Sequence, residues 1–320
     1  MDFKYEIVEN KIMIMGINQE TDSMATDIII PEELEGMPVT MIGPRAFSDC
    51  KEILSITLPD KLEAIEKYAF SECRGLTKIH IPDRVIRIGD HAFYNCRGLE
   101  EMTVPGGIEQ IGDGALKNCN KLSVVTVIVR DGKNSTVKHL LPDIAKEITL
   151  NIKFNEGEEN QDEVKLLLPK DNIYLSDFST RLYMDIRYGV GYHYRLVIGE
   201  NEVDCKRYDR LFTMACGELA KELLIEIAMN RLMFPYDLEK SCEKTYKRYI
   251  SEQLSYVLKA VIKQEEIDKL QYLMNNKLIH QENIEEALGI AYEEGKTECI
   301  GYLLELKHTW SNKRDTVFEL

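Results

Sequence analysis

The chain of 320 residues has no long apolar run, so no membrane-spanning helix is expected. A helix that crosses a bilayer needs about 20 mainly apolar residues, and charged side chains interrupt every apolar stretch here. The first residues, MDFKYEIVEN, are acidic from position 2 and alternate apolar with polar side chains. They therefore predict a strand pair and not a secretory signal, and we expect a cytoplasmic protein.

A basic patch is also missing. The formal net charge is −15, and neither end of the chain carries a basic stripe that would offset it. Partners with a strongly negative surface attract clustered Lys and Arg side chains. The sequence therefore argues against a nucleic acid or an anionic membrane as the partner.

The spacing motifs of metal and disulfide frameworks are absent as well. There are eight cysteines, but neither Cys-x-x-Cys nor Cys-x-x-His occurs, and those spacings are typical of zinc sites. Eight cysteines in so long a chain are too sparse for a stapled small domain. We expect reduced, buried thiols and neither a metal nor a cofactor.

What the chain does contain is a repeat of 23 residues. Ala-Phe precedes three of the repeated cysteines, and Ala115-Leu116 precedes the fourth. A fixed period in the twenties indicates a solenoid, in which each coil buries its apolar side against its neighbours. The residues that keep the step are Cys50, Cys73, Cys96 and Cys119, then Pro59, Pro82 and Pro105, and Ile42, Ile65, Ile88 and Ile111.

One coil shows how the repeat folds. Ile79 and Ile81 alternate with polar residues and predict a strand with one buried face. Pro82 ends this strand because it donates no ladder hydrogen bond. Gly89 turns the chain, and Ala92-Phe93 is predicted to lie in a short helical or 3₁₀ turn. Equivalent strands of successive coils are expected side by side in a parallel sheet.

These motifs resemble the BspA-like leucine-rich repeats of bacteria over roughly residues 3–128. Residues 26–47 resemble that family's first repeat, which follows its N-terminal capping strands. The resemblance implies a short curved solenoid whose concave strand face is the usual recognition surface. The outward positions on that face are Ser55, Thr57, Lys78, His80, Glu101, Thr103, Val124 and Thr126. The alternative is a solvated sheet face without a partner.

The cysteine ladder allows two interpretations. Adjacent coils bring the thiols near one another, so a disulfide or a string of soft metal ions is conceivable. The alternative is that each thiol packs inside and donates a weak hydrogen bond to a turn carbonyl. A disulfide between successive coils would be strained, so we favour interior packing.

After Val127 the period stops, and residues 131–204 are predicted to form a β-rich connecting region. Strands are expected around residues 148–154 and 164–168, with a second pair at 181–187 and 192–198. Residues 155–163 form an acidic loop, for which a solvated hairpin tip is favoured over a calcium site. This region is expected to cap the open end of the solenoid.

Helical periodicity dominates residues 205–308, and residues 309–320 are expected to form a tail. Helical periodicity begins at Tyr208. One apolar stripe runs from Leu211 to Leu232, and short helices are predicted at 267–274, 282–292 and 297–306. Residues 282–305 resemble an ankyrin-type helix pair with Glu294-Gly295 at its turn. The arrangement resembles bacterial leucine-rich repeat proteins that carry a helical C-terminal domain.

The predicted fold class is therefore α+β: a leucine-rich repeat solenoid over 1–130, a small β region and an α-helical, ankyrin-like domain. No nucleophile–base spacing and no phosphate-binding loop occurs. The favoured function is a non-enzymatic scaffold that binds a protein partner. One alternative is an enzyme with a site around His193 and Cys205. The other is a structural protein that self-associates through an exposed strand edge, as a possible homodimer.

Overall fold

The structure is a computed structural model that describes residues 2–18, 26–130, 132, 135–144, 146–154, 162–175, 185–199 and 202–315. The chain divides into two compact units, Met1–Met214 and Ala215–Leu320. The first contains the repeats, and the second is helical.

An antiparallel hairpin opens the first unit. Strands β1 (Phe3–Val8) and β2 (Lys11–Ile17) pair with Val8 opposite Lys11. Glu9 and Asn10 between them both have positive φ, as a two-residue hairpin turn requires. The strand pair predicted from the alternating sequence is confirmed. β2 then runs parallel to β5 (Met37–Ile42), which begins one of the two rows of repeat strands.

Each following coil contributes two strands, one to each of two rows. The first row continues from β5 through the two-residue strands β7 (Ala64–Ile65), β9 (Arg87–Ile88) and β11 (Gln110–Ile111), and β4 (Glu33–Leu34) pairs with β5 beside it. The second row contains β6 (Ser55–Thr57), β8 (Lys78–His80), β10 (Glu101–Pro105) and β12 (Val124–Val129). β3 (Asp27–Ile29) pairs with β6. The parallel stacking of equivalent strands is as the repeat predicts.

The turn that contains Ala-Phe joins each coil to the next. Tyr68 and Glu72 have positive φ, and this conformation directs alternate N–H groups toward the following coil. Tyr68 N donates to Asp90 O (3.0 Å), Phe70 N to Ala92 O (2.8 Å) and Glu72 N to Tyr94 O (2.8 Å). The predicted helical or 3₁₀ turn is therefore wrong, because left-handed residues interrupt any helix.

The interior of these turns holds the phenylalanines and the cysteine ladder. Phe70 stacks between Phe47 and Phe93, with ring centroids 5.4 and 5.3 Å away. The thiols of Cys73, Cys96 and Cys119 donate to phenylalanine carbonyls of the preceding coil at 3.0, 3.0 and 3.1 Å. Burial raises the pKa of the Cys73 thiol far above its ordinary range. Interior packing with a weak hydrogen bond, the favoured interpretation of the ladder, is confirmed for Cys73, Cys96 and Cys119, whereas Cys50 is only half-buried.

The sheet continues beyond the point where the sequence period stops. After helix α1 (Thr136–Leu140) and a 3₁₀ turn (Leu141–Asp143), β13 (Ile148–Phe154) pairs parallel with β12. Strand β14 (Asp162–Leu168) then pairs antiparallel with β13. The first predicted strand pair is thus confirmed. The acidic residues 155–161, and with them the calcium alternative, lie outside the described residues.

The second predicted strand pair is wrong. Strand β15 (Asn172–Leu175) pairs with β16 (Asp185–Tyr188), whereas Val190–Arg195 forms helix α2. Gly189, with a φ of 85°, ends β16. Val190 and Tyr194 are four residues apart and both buried, which is a helical spacing. Tyr192 and Tyr194 also alternate with other residues as in a strand, and this alternation led to the strand prediction. Residues 181–184 of the predicted strand lie outside the described part.

Short helices follow in place of the single stripe predicted from Leu211 to Leu232. Helix α3 (Cys205–Arg210) begins at Asp204, whose carboxylate accepts from Arg207 N at 2.8 Å. The Tyr208 hydroxyl donates to Leu167 O of β14 at 2.7 Å. Helix α4 (Phe212–Ala215) ends in turns around Gly217. The stripe prediction is wrong because these turns divide it.

The second unit contains six longer helices among its described residues. They are α5 (Lys221–Met233), α6 (Lys240–Glu252), α7 (Leu254–Lys263), α8 (Ile267–Asn275), α9 (Ile284–Glu293) and α10 (Thr297–Asp315). The helices predicted at 267–274 and 282–292 are confirmed as α8 and α9. The third, α10, begins at its predicted residue but continues to Asp315, so the tail predicted from residue 309 is wrong for residues 309–315. Residues 316–320 of that predicted tail lie outside the described residues.

Two helix pairs of this unit repeat one another. α7–α8 and α9–α10 have equivalent turns 30 residues apart, at Glu265 (φ 57°) and Gly295 (φ 66°). In the first turn Glu266 N donates to Val261 O at 3.1 Å, and in the second Lys296 N donates to Ala291 O at 2.9 Å. These bonds are typical of a helix that ends in a left-handed residue. The helical unit therefore contains an α-hairpin repeat.

Gly295→Ala should destabilise the helical unit by about 1 kcal/mol, because the left-handed φ strains a side chain. Gly289 in α9 and Gly295 each have open space where a Cβ would stand, so Gly289→Ala is the matched control. It should stabilise by about 0.5–1 kcal/mol. Fluorescence of Trp310, the single tryptophan, measures unfolding of this unit. Equal effects of the two variants would contradict the assigned role of the turn.

Cys96→Ala should cost about 2 kcal/mol of stability, since it removes a buried side chain and the donor to Phe70 O. Cys50 occupies the same repeat position but is half-buried, and its thiol lies 3.9 Å from Ser48 O. Cys50→Ala should therefore cost about 0.5 kcal/mol. The loss of stability in each variant is measured by amide hydrogen exchange of the neighbouring turns with mass spectrometry. A larger loss from Cys50→Ala would contradict this account of the ladder.

Candidate interaction surface

The eight residues predicted to face outward all lie on the solvent side of the second strand row, and we call them the strand face. Their neighbours Ile79, Met102 and Val125 point inward and are buried, as alternation along a strand requires. The exposed members are Ser55, Thr57, Lys78, His80 and Glu101, and the half-buried members are Thr103, Val124 and Thr126.

The parallel register brings six of the eight into two lines across the strands. Glu101 lies opposite both Lys78 and Val124. Lys78 Nζ and Glu101 Oε1 are 2.8 Å apart, and their side chains are 65% and 48% exposed. In the second line, Thr103 lies opposite His80 and Thr126.

The other two residues stand apart from this pattern. Ser55 and Thr57 lie on β6, which pairs with β3 and not with β8. Ser55 Oγ donates to Asp27 Oδ1 at 2.5 Å. This hydroxyl, helped by that of Thr26, holds the pKa of the Asp27 carboxyl below its ordinary value. The first coil therefore presents a local hydrogen-bonded group instead of a member of the two lines.

The structure adds residues that the sequence reasoning missed. Thr149 and Asn151 of β13 continue the two lines, opposite Val124 and Thr126. Asn151 Nδ2 donates to Thr126 Oγ1 at 3.5 Å, while its Oδ1 is buried without a hydrogen-bond partner. The alternating residues 148–154 could have identified β13 as a further strand of this face. Its residues were missed because Val125 pairs with Leu150, a step of 25 residues, whereas the repeat has a period of 23.

The strand face, together with its continuation onto β13 and β14, has mixed charge although the chain is strongly acidic. Lys78 pairs with Glu101 at one side of the sheet, and Lys153 lies opposite Glu163 at the other. The residues between them are mainly threonine, asparagine and valine. The surface therefore offers two charged ends and a neutral, hydrogen-bonding centre.

His193 and Cys205, the residues of the enzyme alternative, occupy different environments. His193 is exposed on α2, whereas Cys205 is only 1% exposed at the start of α3. Reactive cysteines are expected to be partly exposed, so this burial lends the enzyme alternative no support. Across the described residues, no three His, Cys, Asp or Glu side chains gather as metal ligands.

Comparison with known families accounts for the repeats. Residues 22–134 match the model of the BspA type leucine rich repeat region in six copies. This segment is therefore a BspA-type leucine-rich repeat region, and the family expected from the repeat motifs is confirmed for it. The match does not extend to the helical unit. No curated protein matches the chain.

Solved structures with similar repeats come from several bacteria. A leucine-rich repeat protein of T. pallidum is 24% identical over 39% of this chain and 68% of its own, with a TM-score of 0.33. One from Bacteroides capillosus is 27% identical over 39% of this chain and 93% of its own, with a TM-score of 0.36.

A leucine-rich cell surface protein of Faecalibacterium prausnitzii is 23% identical over 38% of this chain and 37% of its own, with a TM-score of 0.27. Within the described part of this chain, no helix has the length and apolar character to span a membrane. The cytoplasmic location expected from the sequence stays a prediction.

The Lys78–Glu101 ion pair should contribute little to stability. A double-mutant cycle with Lys78→Ala and Glu101→Ala should give a coupling below about 1 kcal/mol, because water screens exposed pairs. The contrasting case is Asp171, whose fully buried carboxylate lies 3.2 Å from Arg187 Nη1. Asp171→Ala should cost about 3 kcal/mol, since it also removes the carboxylate that lies 3.9 Å from Nε of Arg195, a guanidinium whose side chain is only 5% exposed. Thermal unfolding of the four variants tests both values, and a large Lys78–Glu101 coupling would contradict the first.

Proposed function

We propose that the first unit is a non-enzymatic module that binds a protein partner through the strand face. The observation that carries the proposal is the regular pattern of outward side chains across the parallel strands, in two lines that continue onto β13. Leucine-rich repeat proteins are typically interaction modules, and stacked repeats provide extended surfaces for binding.

The chemistry of the strand face suggests the kind of partner. Lys78 and Glu101 can each exchange their mutual contact for one with the partner, because their pair is exposed and held weakly. The half-buried Thr103 and Thr126 offer hydrogen bonds near the centre. A partner segment with charges of both signs and a polar middle would match this pattern. Electrostatic complementarity of this kind contributes specificity and a faster association rate.

We further propose that the helical unit is an ankyrin-like stack that presents a second binding surface. The support is the 30-residue step between its two α-hairpins. Glu265 also links them, since Glu298 N donates to Glu265 Oε1 at 3.2 Å and Lys296 Nζ lies 3.8 Å from Glu265 Oε2. Stacks of such hairpins bury a continuous core between neighbouring repeats.

The proposal is tested by charge reversal on the strand face. Lys78→Glu and Glu101→Lys should each weaken capture of the partner from the native host under reducing conditions by roughly tenfold. The double variant Lys78→Glu/Glu101→Lys keeps an ion pair at the same place, so the fold is preserved while the pattern of charge is inverted. If the partner recognises the arrangement of the two charges, the double variant should not recover binding of the partner.

The matched control is a second exposed ion pair outside the strand face. Lys61 Nζ and Glu33 Oε1 are 2.8 Å apart, with side chains that are 44% and 52% exposed. Lys61→Glu should leave capture unchanged. Equal loss from Lys61→Glu and Lys78→Glu, or no loss from either strand-face reversal, would contradict the proposal.

A further inference from the structure

The N-terminal hairpin leaves one strand edge of the first unit unpaired. β1 is the terminal strand of its sheet, and within the described residues no strand pairs with its outer side. An exposed strand edge is a template for pairing with another chain. The far edge of the second row is different, because the Tyr208 hydroxyl donates to the Leu167 carbonyl of β14. Among the described residues of the unit, the other strands at sheet edges have two to four residues.

The hairpin register shows which backbone groups of β1 face outward. Val8 and Lys11 close a two-residue turn, so Val8 directs its backbone hydrogen bonds toward β2. Asp2 O, six residues earlier, also accepts from Asn18 N at 2.9 Å. Even-numbered residues of β1 therefore bond inward, and the N–H and C=O groups of Phe3, Tyr5 and Ile7 point to the free edge.

We propose that the free edge of β1 pairs antiparallel with β1 of a second copy of this chain, forming a symmetric dimer. The inference does not rest on the proposed function, since β1 is separate from the strand face. Its first support is exposed apolar surface at the edge: Ile7 is 53% and Val8 38% exposed.

Charge complementarity is the second support, and it favours a register centred on Tyr5 over the two registers centred on the neighbouring residues. Residues whose backbone groups point to the free edge can pair only with residues of the same kind in the second copy, so odd-numbered residues pair with odd-numbered residues. The two-fold axis of the dimer therefore passes through a residue of β1 and not between two residues. With the axis at Tyr5, Lys4 faces Glu6 of the second copy and Phe3 faces Ile7. An axis at Lys4 or at Glu6 would instead place that residue opposite its own like-charged copy, which is destabilising.

The Tyr5 register also places the charges where they interact most closely. Phe3, Tyr5 and Ile7 would exchange backbone hydrogen bonds with the second copy. Lys4 and Glu6 would then occupy the pairs without hydrogen bonds, in which side chains approach more closely. Both side chains are exposed in the monomer, so each is available to the second copy.

The test is the oligomeric state of the full chain and of two charge variants. Analytical ultracentrifugation over a range of concentrations should show the wild type moving from 36.9 kDa toward twice that mass. Lys4→Glu places two glutamates opposite each other, and Glu6→Lys places two lysines opposite each other. Each variant should raise the dissociation constant of its dimer roughly tenfold.

Mixing the Lys4→Glu and Glu6→Lys variants distinguishes this register from any other. In a mixed dimer, the glutamate introduced by the first substitution faces the lysine introduced by the second. The unchanged Glu6 of the first variant faces the unchanged Lys4 of the other, so both pairs are attractive. The mixture should therefore dimerise about as tightly as the wild type, as should the double variant Lys4→Glu/Glu6→Lys. Thermal unfolding verifies that each variant keeps the fold.

Three results would overturn the proposal. The first is a wild type that stays at the monomer mass at every concentration reached, which would also follow if the edge instead accepted a segment of another protein. The second is a dimer that neither single variant weakens. The third is a weakened dimer that mixing fails to restore. None of these results bears on the binding of a partner by the strand face.

Discussion

Hydrogen bonds between the phenylalanine turns of successive coils are the interaction on which the first unit depends. Alternate N–H groups of each turn donate to carbonyls of the next coil, and the ladder thiols donate back to the preceding one. Residues such as Tyr68 and Glu72 must adopt a left-handed conformation for this, at a cost of about 1 kcal/mol each. The neighbouring coils maintain that conformation, and the turns in turn fix the strand register.

The strand face is a consequence of that register. Lys78, Glu101 and Val124 come from three coils, yet they align because the turns hold every coil at the same step. The mixed charge of the face is local, since the chain as a whole is strongly acidic. A partner that recognises this face must therefore match its particular arrangement of charges. Non-specific attraction to the negative net charge of the chain would not suffice.

Prediction from sequence succeeded where one residue type has one structural role. Pro82 ends a strand, Ile79 alternates with polar neighbours, and three of the four ladder cysteines pack inside, all as expected. It failed where a pattern permits two structures: Tyr192 and Tyr194 alternate as in a strand, but Gly189 and the i, i+4 pair of Val190 with Tyr194 make this segment helical. Asn151 was missed because β13 lies two residues beyond the position that the 23-residue period predicts for the next strand. Partner choice depends on surfaces of two molecules, and one sequence contains only one of them.

The hairpin β1–β2 differs from every coil in how it is completed. The backbone hydrogen bonds of the hairpin join residues close in sequence. The N–H groups of each turn instead donate to carbonyls about one coil further along the chain. During synthesis, a newly made coil therefore exposes unsatisfied backbone groups until its successor emerges. Local contacts form early, so the hairpin offers a finished edge on which the first coil can add. We expect the solenoid to assemble in the direction of translation, with the hairpin as its starting template and β13–β14 as the point where growth ends.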